Sequence, residues 1–301
     1  MRKLIKKLSD LRGISGFEYR LNNEIKKMFE ITKFHTAFER KCPKGYSFAG
    51  EMHDFWEFVF VIDGKIEVST DKNVITLSKN QIIFHKPMEL HKLRTAHGSK
   101  PDLFIITFSA TGSFMDFFSD KIIQLSNKQV EEILSILNFL KKNNRPDSSL
   151  PLLTAHLECM KNEPRLMHRF KNLVENFLIS LSESDAKTPE VISNTETTIY
   201  KNAVEALENR IYSNITVDEL AKVCNVSTAY LKKIFSKYTG FGIHEYFIKT
   251  KITMAKKLLS EGMSVTDVAD TLSFSSQNYF SIVFKREEGI SPSQFKRQIT
   301  K

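Results

Sequence analysis

The chain has 301 residues, with 44 Lys and Arg against 35 Asp and Glu, a net charge of +9, 41% hydrophobic residues and three cysteines. Length alone predicts two domains at roughly 100–200 residues each, and the wealth of Phe, Ile and Leu excludes a disordered polypeptide. Cys42, Cys159 and Cys224 are odd in number and form no C-x-x-C pair, which excludes a disulfide framework and a cysteine-built zinc site.

The opening MRKLIKKLSDLRG is basic, but Ser9, Asp10 and Arg12 interrupt it before a signal-peptide core develops. No uninterrupted apolar run of about 18 residues follows, so no membrane span and a reducing, cytoplasmic setting are expected. Leu4, Ile5, Leu8 and Leu11 predict a helical extension over residues 1–33, interrupted near Gly13 to Gly16. Short β-rich runs then succeed one another: WEFVFVI, KIEVST, VITLS, QIIFH, HKLRT and LFIITFS. Asp63-Gly64 has the residues of a two-residue hairpin turn, and strands this short at this spacing suggest a β-barrel or double-sheet jelly roll. Trp56, Phe58 and Phe60 alternate as core residues do.

Beyond residue 115 the period becomes helical. Val130, Ile133, Leu134, Leu137 and Leu140 share one face, as do Leu166, Phe170, Leu173, Val174, Phe177, Leu178 and Leu181. These helices either cover the barrel or pair with a second copy of the chain. They complete a domain over 34–182; residues 183–197, polar and aperiodic, read as a linker, and 198–301 as the second domain.

The last third repeats itself. Ala221 and Val226 match Ala269 and Phe274 at an offset of 48; Leu231, Phe235 and Gly240 match Phe280, Phe284 and Gly289 at 49. Each copy has the marks of a helix-turn-helix. Thr216 with Glu219 forms a capping box, Asn225 suits a left-handed turn, Ser227 caps a second helix and Gly240 stops it. In the second copy Ser264 with Asp267 opens the first helix, Ser275 or Ser276 caps the next, and Gly289 ends it. The helix over 243–260 spaces the copies. Two recognition helices reach successive major grooves only about 34 Å apart.

The runs YLKKIFSKYTG, AKKLLSEGMSVTDVAD and FSSQNYFSIVFKREEGISPSQFK, in this order, resemble the DNA-binding domain of AraC/XylS-type transcription regulators over about 198–300. The resemblance implies seven helices, double-stranded promoter DNA as partner, activation of a nearby promoter and contact with RNA polymerase. Ser273 stands where the family has Gly, and Ile282 where it commonly has Arg. Thr228, Ala229, Lys232, Lys233 and Ser236, then Gln277, Asn278 and Ser281, match the positions that reach bases in the family. Lys donates to guanine, whereas Gln and Asn pair bidentately with adenine. Lys237, Lys285 and Arg286 are expected on phosphates. The net charge is compatible with such a partner but is shared between the halves, at +4 over 196–301 and +5 before it.

Upstream, Glu51, His53, Glu57 and Gly64 followed by His91 resemble the cupin signature, with Glu51 in the first histidine position and a shortened second motif. His53, Glu57 and His91 are expected to line a pocket for a small-molecule effector, with no cofactor. The alternative is a two-His, one-carboxylate metal site serving a cupin enzyme or a metal sensor. His85, His97, His156 and His168 show no ligand spacing. No nucleophile elbow or phosphate loop is present, so an enzyme is not expected. A DNA-repair methyltransferase with such helices would need a metal-bound cysteine cluster. The expectation is therefore a multi-domain α and β protein: a cupin-like barrel with flanking helices senses a small molecule, a sugar being one class, and an all-α domain with two helix-turn-helix motifs binds promoter DNA. A homodimer formed through 127–143 and 164–182 completes it.

Overall fold

The computed structural model describes residues 27–143, 157, 160–183 and 191–299. Strands β1 (Glu30–Lys41), β7 (Asp102–Thr111), β2 (Trp56–Asp63), β5 (Gln81–His85) and β8 (Ile122–Gln124) form, in that order, a five-stranded sheet. Strands β4 (Val74–Ser78), β3 (Lys65–Thr70) and β6 (His91–Thr95) form a three-stranded sheet facing it, and all these pairs are antiparallel.

Alternation along β2 builds two cores. Val59 and Val61 point inward with Ile66, Val68, Leu93 and Ile105 between the sheets. Trp56, Phe58 and Phe60 point the other way, onto helices α1 (Asn127–Asn143) and α2 (Pro164–Ser182). A strand buried on both faces reads as a continuous apolar run, as WEFVFVI does. The apolar stripes of α1 and α2 are spent on this layer: Ile133, Leu137, Leu140, Phe170, Val174 and Phe177 are all buried in it.

Two expectations about this half are corrected. Residues 30–33 belong to β1, where Glu30 pairs with Thr111, so the helical extension cannot run to 33; residues 1–26 lie outside the described residues. Asp63-Gly64 makes no hairpin, because β2 and β3 lie in different sheets. Gly64, at φ +78°, turns the chain from one sheet to the other, and a Cβ there would stand 2.9 Å from Pro101 Cα.

Seven helices follow among the described residues: α3 (Thr195–Glu208), α4 (Val217–Val223), α5 (Thr228–Thr239), α6 (Ile243–Ser260), α7 (Val265–Thr271), α8 (Gln277–Glu288) and α9 (Pro292–Ile299). Their starts follow the side-chain chemistry. Thr216 and Glu219 cap α4 reciprocally, Ser227 caps α5, Ser264 caps α7, and Ser276 rather than Ser275 caps α8. Asn225 (φ +55°) and Ser273 (φ +52°) occupy equivalent left-handed positions in the two turns. Ser273, lacking the freedom of Gly, is held by its hydroxyl, which donates to Tyr212 O at 2.9 Å.

The chain between the halves is docked. Ile192 N donates to Val74 O (2.7 Å), Val191 bridges to Ile75, and α3 already begins at Thr195, inside the stretch expected as linker. Val74 and Leu90 of the β half lie in the helical core. Tyr200 Oη donates to Thr70 O at 2.8 Å, and Lys92 Nζ reaches Ser236 O at 3.4 Å. No helix among the described residues is long and apolar enough to cross a membrane.

Candidate functional site

A cavity of about 130 Å³ opens between the sheets, lined from four directions. β1 supplies Thr36, Phe38 and Arg40, the loop before β2 supplies Tyr46, Phe48, Glu51, His53 and Phe55, and β2 supplies Glu57. Leu93, Ile105 and Thr107 close it. His53 and Glu57, expected here from the sequence, do line it; His91 lies directly behind them, buried, with Nε2 3.3 Å from Glu51 Oε1 and 3.4 Å from Glu57 Oε1. The sequence reading missed Arg40 and the aromatic wall. A signal existed: Thr36, Phe38 and Arg40 stand at alternate positions of one strand and therefore on one face.

The two histidines are oriented from behind. His53 Nδ1 lies 3.0 Å from Phe55 O, and His91 Nδ1 3.1 Å from Glu89 O, so each ring donates through Nδ1 and turns Nε2 towards the carboxylates. Neither Nε2 has a hydrogen-bond partner, the ion-pair distances notwithstanding. Glu51, His53, Glu57 and His91 bring one ligand atom each within 4.8 Å of one another.

Charge in the pocket is coupled. Burial opposes ionisation of His91, but Glu57 and Glu51 overcome it and push the imidazole up to about 10. Burial likewise opposes Glu57, and His91 with His53 holds its carboxyl below the usual range. His85, outside both the cavity lining and the group of possible metal ligands, lies behind them. It is fully buried, stacked on His91 at 4.1 Å and 3.6 Å from Glu89, with its pKa lowered by burial and by His91. Phe55 is sandwiched between His35 and His53, each 4.0 Å away.

At the other end of the molecule, Ala229, Lys232, Lys233 and Ser236 of α5 are exposed, as are Gln277, Asn278 and Lys285 of α8. Thr228 and Ser281 are half-buried. The opposite sides of these helices, Leu231, Ile234 and Phe235 and then Phe280, Val283 and Phe284, are buried. Thr228 Oγ1 donates to Asp218 Oδ1 (2.7 Å), and at the matching place Thr266 Oγ1 donates to Gln277 Oε1 (3.0 Å). Two of the basic residues expected on phosphates have acidic partners: Lys237 pairs with Glu196, and Arg286 with Glu287 at 2.7 Å. Ile282 is 66% exposed on the same face of α8.

Comparisons with known proteins agree with this division. Residues 34–190 match the AraC-like ligand binding domain, and residues 220–298 match a helix-turn-helix domain. The Msm operon regulatory protein of Streptococcus mutans is 27% identical over 294 residues, 94% of this chain and 96% of that one. The transcriptional activator RhaR of Salmonella dublin is 26% identical over 125 residues, 41% of this chain and 44% of RhaR. Among solved structures, ToxT from Vibrio cholerae aligns over 91% of this chain and 99% of its own at 15% identity, with a TM-score of 0.36. With the ligand-binding model covering more than half of its length and the paired helix-turn-helix in place behind it, the chain belongs to the AraC family of transcription regulators, a ligand-binding β domain joined to a DNA-binding helical domain.

Proposed function

We propose that this regulator is a cytoplasmic activator, without enzymatic activity, whose cavity binds a small polyhydroxylated molecule of the sugar class. The observation that carries this reading is the lining. Phe38, Tyr46, Phe48 and Phe55 offer apolar faces, while Glu51, Glu57, Arg40 and the Thr36–Thr107 hydroxyl pair offer hydrogen-bond groups. An apolar wall with a few convergent polar groups is what orients a ring carrying adjacent hydroxyls. Activation takes support from the similarity to RhaR.

Thr228, Ala229, Lys232, Lys233 and Ser236 of α5, with Gln277, Asn278 and Ser281 of α8, are the residues we assign to bases; Lys285 serves a phosphate, as do Lys237 and Arg286 once Glu196 and Glu287 release them. A homodimer, through the outer faces of α1 and α2, would bind repeated half-sites and engage RNA polymerase. Genome-wide capture by the full-length protein at about 150 mM salt tests this, because non-specific phosphate binding is weakened there. A few sites sharing a repeated motif are expected; uniform capture would refute sequence-specific readout. Isothermal titration with a panel of monosaccharides tests the effector class.

A second reading is favoured by one observation, the two partnerless Nε2 atoms facing Glu51 and Glu57. Two imidazoles, each anchored through Nδ1 to a carbonyl, and two carboxylates are a donor set suited to Mn, Fe or Zn. This version makes the domain a metal sensor or a metal-dependent enzyme. Elemental analysis of protein purified without chelator decides it, since metal far below one equivalent would rule it out.

A further inference from the structure

The chain from Gly50 to Phe55 bridges to His91 at Glu51 and bends at Asp54 and Phe55, and its residues divide between two sides. Glu51, His53 and Phe55 line the cavity. Gly50, Met52 and Asp54 touch the DNA-binding domain instead. Gly50 lies against the end of α5, where a Cβ would fall 1.8 Å from Thr239 O, and a Cβ on Gly240 would fall 2.5 Å from Gly50 N. Met52 packs on the helical core with its sulfur 3.6 Å from the Thr253 hydroxyl, and Asp54 Oδ2 lies 3.6 Å from Lys256 Nζ on α6.

We infer that residues 50–54 are a two-faced strap through which the cavity positions the first recognition helix. The strap's register is fixed at Glu51, which exchanges backbone hydrogen bonds with His91 (2.9 and 3.0 Å), and at His53, whose carbonyl accepts from Met88 N at 2.7 Å. On the other side the two glycines meet backbone to backbone and leave no slack. A bound molecule that donates to the Glu51 carboxylate competes with the side-chain pair between Glu51 and His91 (3.3 Å) beside the strap, and any movement of Gly50 is transmitted to Thr239 and the end of α5. Packed contacts of this kind are bistable rather than elastic, so a small shift at the cavity becomes a change of seat for the helix.

This inference rests on the cavity being the effector site, but its test needs no effector, because coupling between two sites is reciprocal. Amide hydrogen exchange is measured on full-length wild type, Glu51→Gln and Asp54→Asn. Glu51→Gln alters only the cavity face, yet exchange over 235–240 and 253–256 is expected to rise about threefold or more, with 277–288 unchanged as the internal control. Asp54→Asn, an exposed substitution with little risk to folding, is expected to change exchange over 91–95 and 105–107 from the opposite side. Changes confined to the face that was mutated, in both variants, would overturn the strap. Failure of the sugar reading shows up separately, as monosaccharides that leave wild-type exchange unaltered while the variants still couple.

Discussion

The two helix-turn-helix units share their caps, their left-handed turns and their buried faces, yet they sit in different surroundings. The first is seated on the β domain: Lys92 reaches Ser236 O, Arg94 lies over the Tyr238 ring at 5.9 Å, and Gly240 abuts Gly50. Among the described residues the hydrogen bonds and ion pairs of the second run to its own domain, with Ser273 donating to Tyr212 O in the loop after α3, and Lys249–Glu287 (2.9 Å) and Lys256–Glu288 (2.7 Å) joining α6 to α8. Gly289 ends α8 as Gly240 ends α5, at φ +77° and +80°, but nothing lies within 4 Å of a Cβ placed on Gly289. Identical local grammar thus serves one unit held by the sensor and one free of it.

Core truncation gives the largest contrast. Phe235→Ala and Phe284→Ala each remove a fully buried ring, at a cost of about 3–5 kcal/mol. Fluorescence of Trp56, the sole tryptophan, reports the β domain, whereas far-UV circular dichroism reports the helices. The Trp56 transition is expected to move with Phe235→Ala and to stay with Phe284→Ala; equal shifts would break the asymmetry.

Next comes pH. Asp71, between β3 and β4, accepts from Tyr246 Oη (3.2 Å) across the domain boundary. Burial first, then the charges of Glu89 and Glu208, raise its pKa to about 7 against the opposing hydrogen bonds of Tyr246 and Leu90 N. The folded chain therefore keeps a proton that the unfolded chain gives up near 3.8. The stability this contributes is complete below about 4 and is lost as pH rises through about 7, roughly 2–4 kcal/mol in all. Asp71→Asn is expected to flatten that slope in denaturation curves taken from about pH 4 to 8.

The cap glycines come third. Gly289→Ala is expected to cost about 1 kcal/mol for the left-handed angle alone. Gly240→Ala is expected to cost more and to raise proteolysis between the domains, because the added methyl meets Gly50; equal costs would mean that the seat is loose. The smallest effects are electrostatic. Lys285→Ala is expected to lower the salt slope of DNA binding by about 1, while Asn278→Ala leaves that slope unchanged and relaxes base preference.

The helical domain was legible in the sequence because its determinants are local: Thr216 and Glu219 are three residues apart, and Asn225 and Gly240 declare their angles by type. The β domain was legible as strands but not as a site. Thr36 meets Thr107 only through the β1–β7 pairing, and Arg40 reaches Tyr46 Oη (2.6 Å) only after the loop folds back. His85 looked unremarkable because its stacking on His91 depends on the Pro87–Leu90 bend rather than on spacing. Asp63-Gly64 misled because a turn residue specifies an angle and not the strand on the far side.

The side-chain ties at the start of each recognition helix bear on how such a protein is re-targeted. Gln277 is engaged by Thr266, and Thr228 by Asp218, so the first residue of each reading helix has a companion in the preceding helix. A library that varies only the reading residues would leave those companions aimed at groups no longer there. Varying 266 together with 277, and 218 together with 228, keeps each new side chain in a defined orientation, and selection then acts on paired positions rather than on single letters.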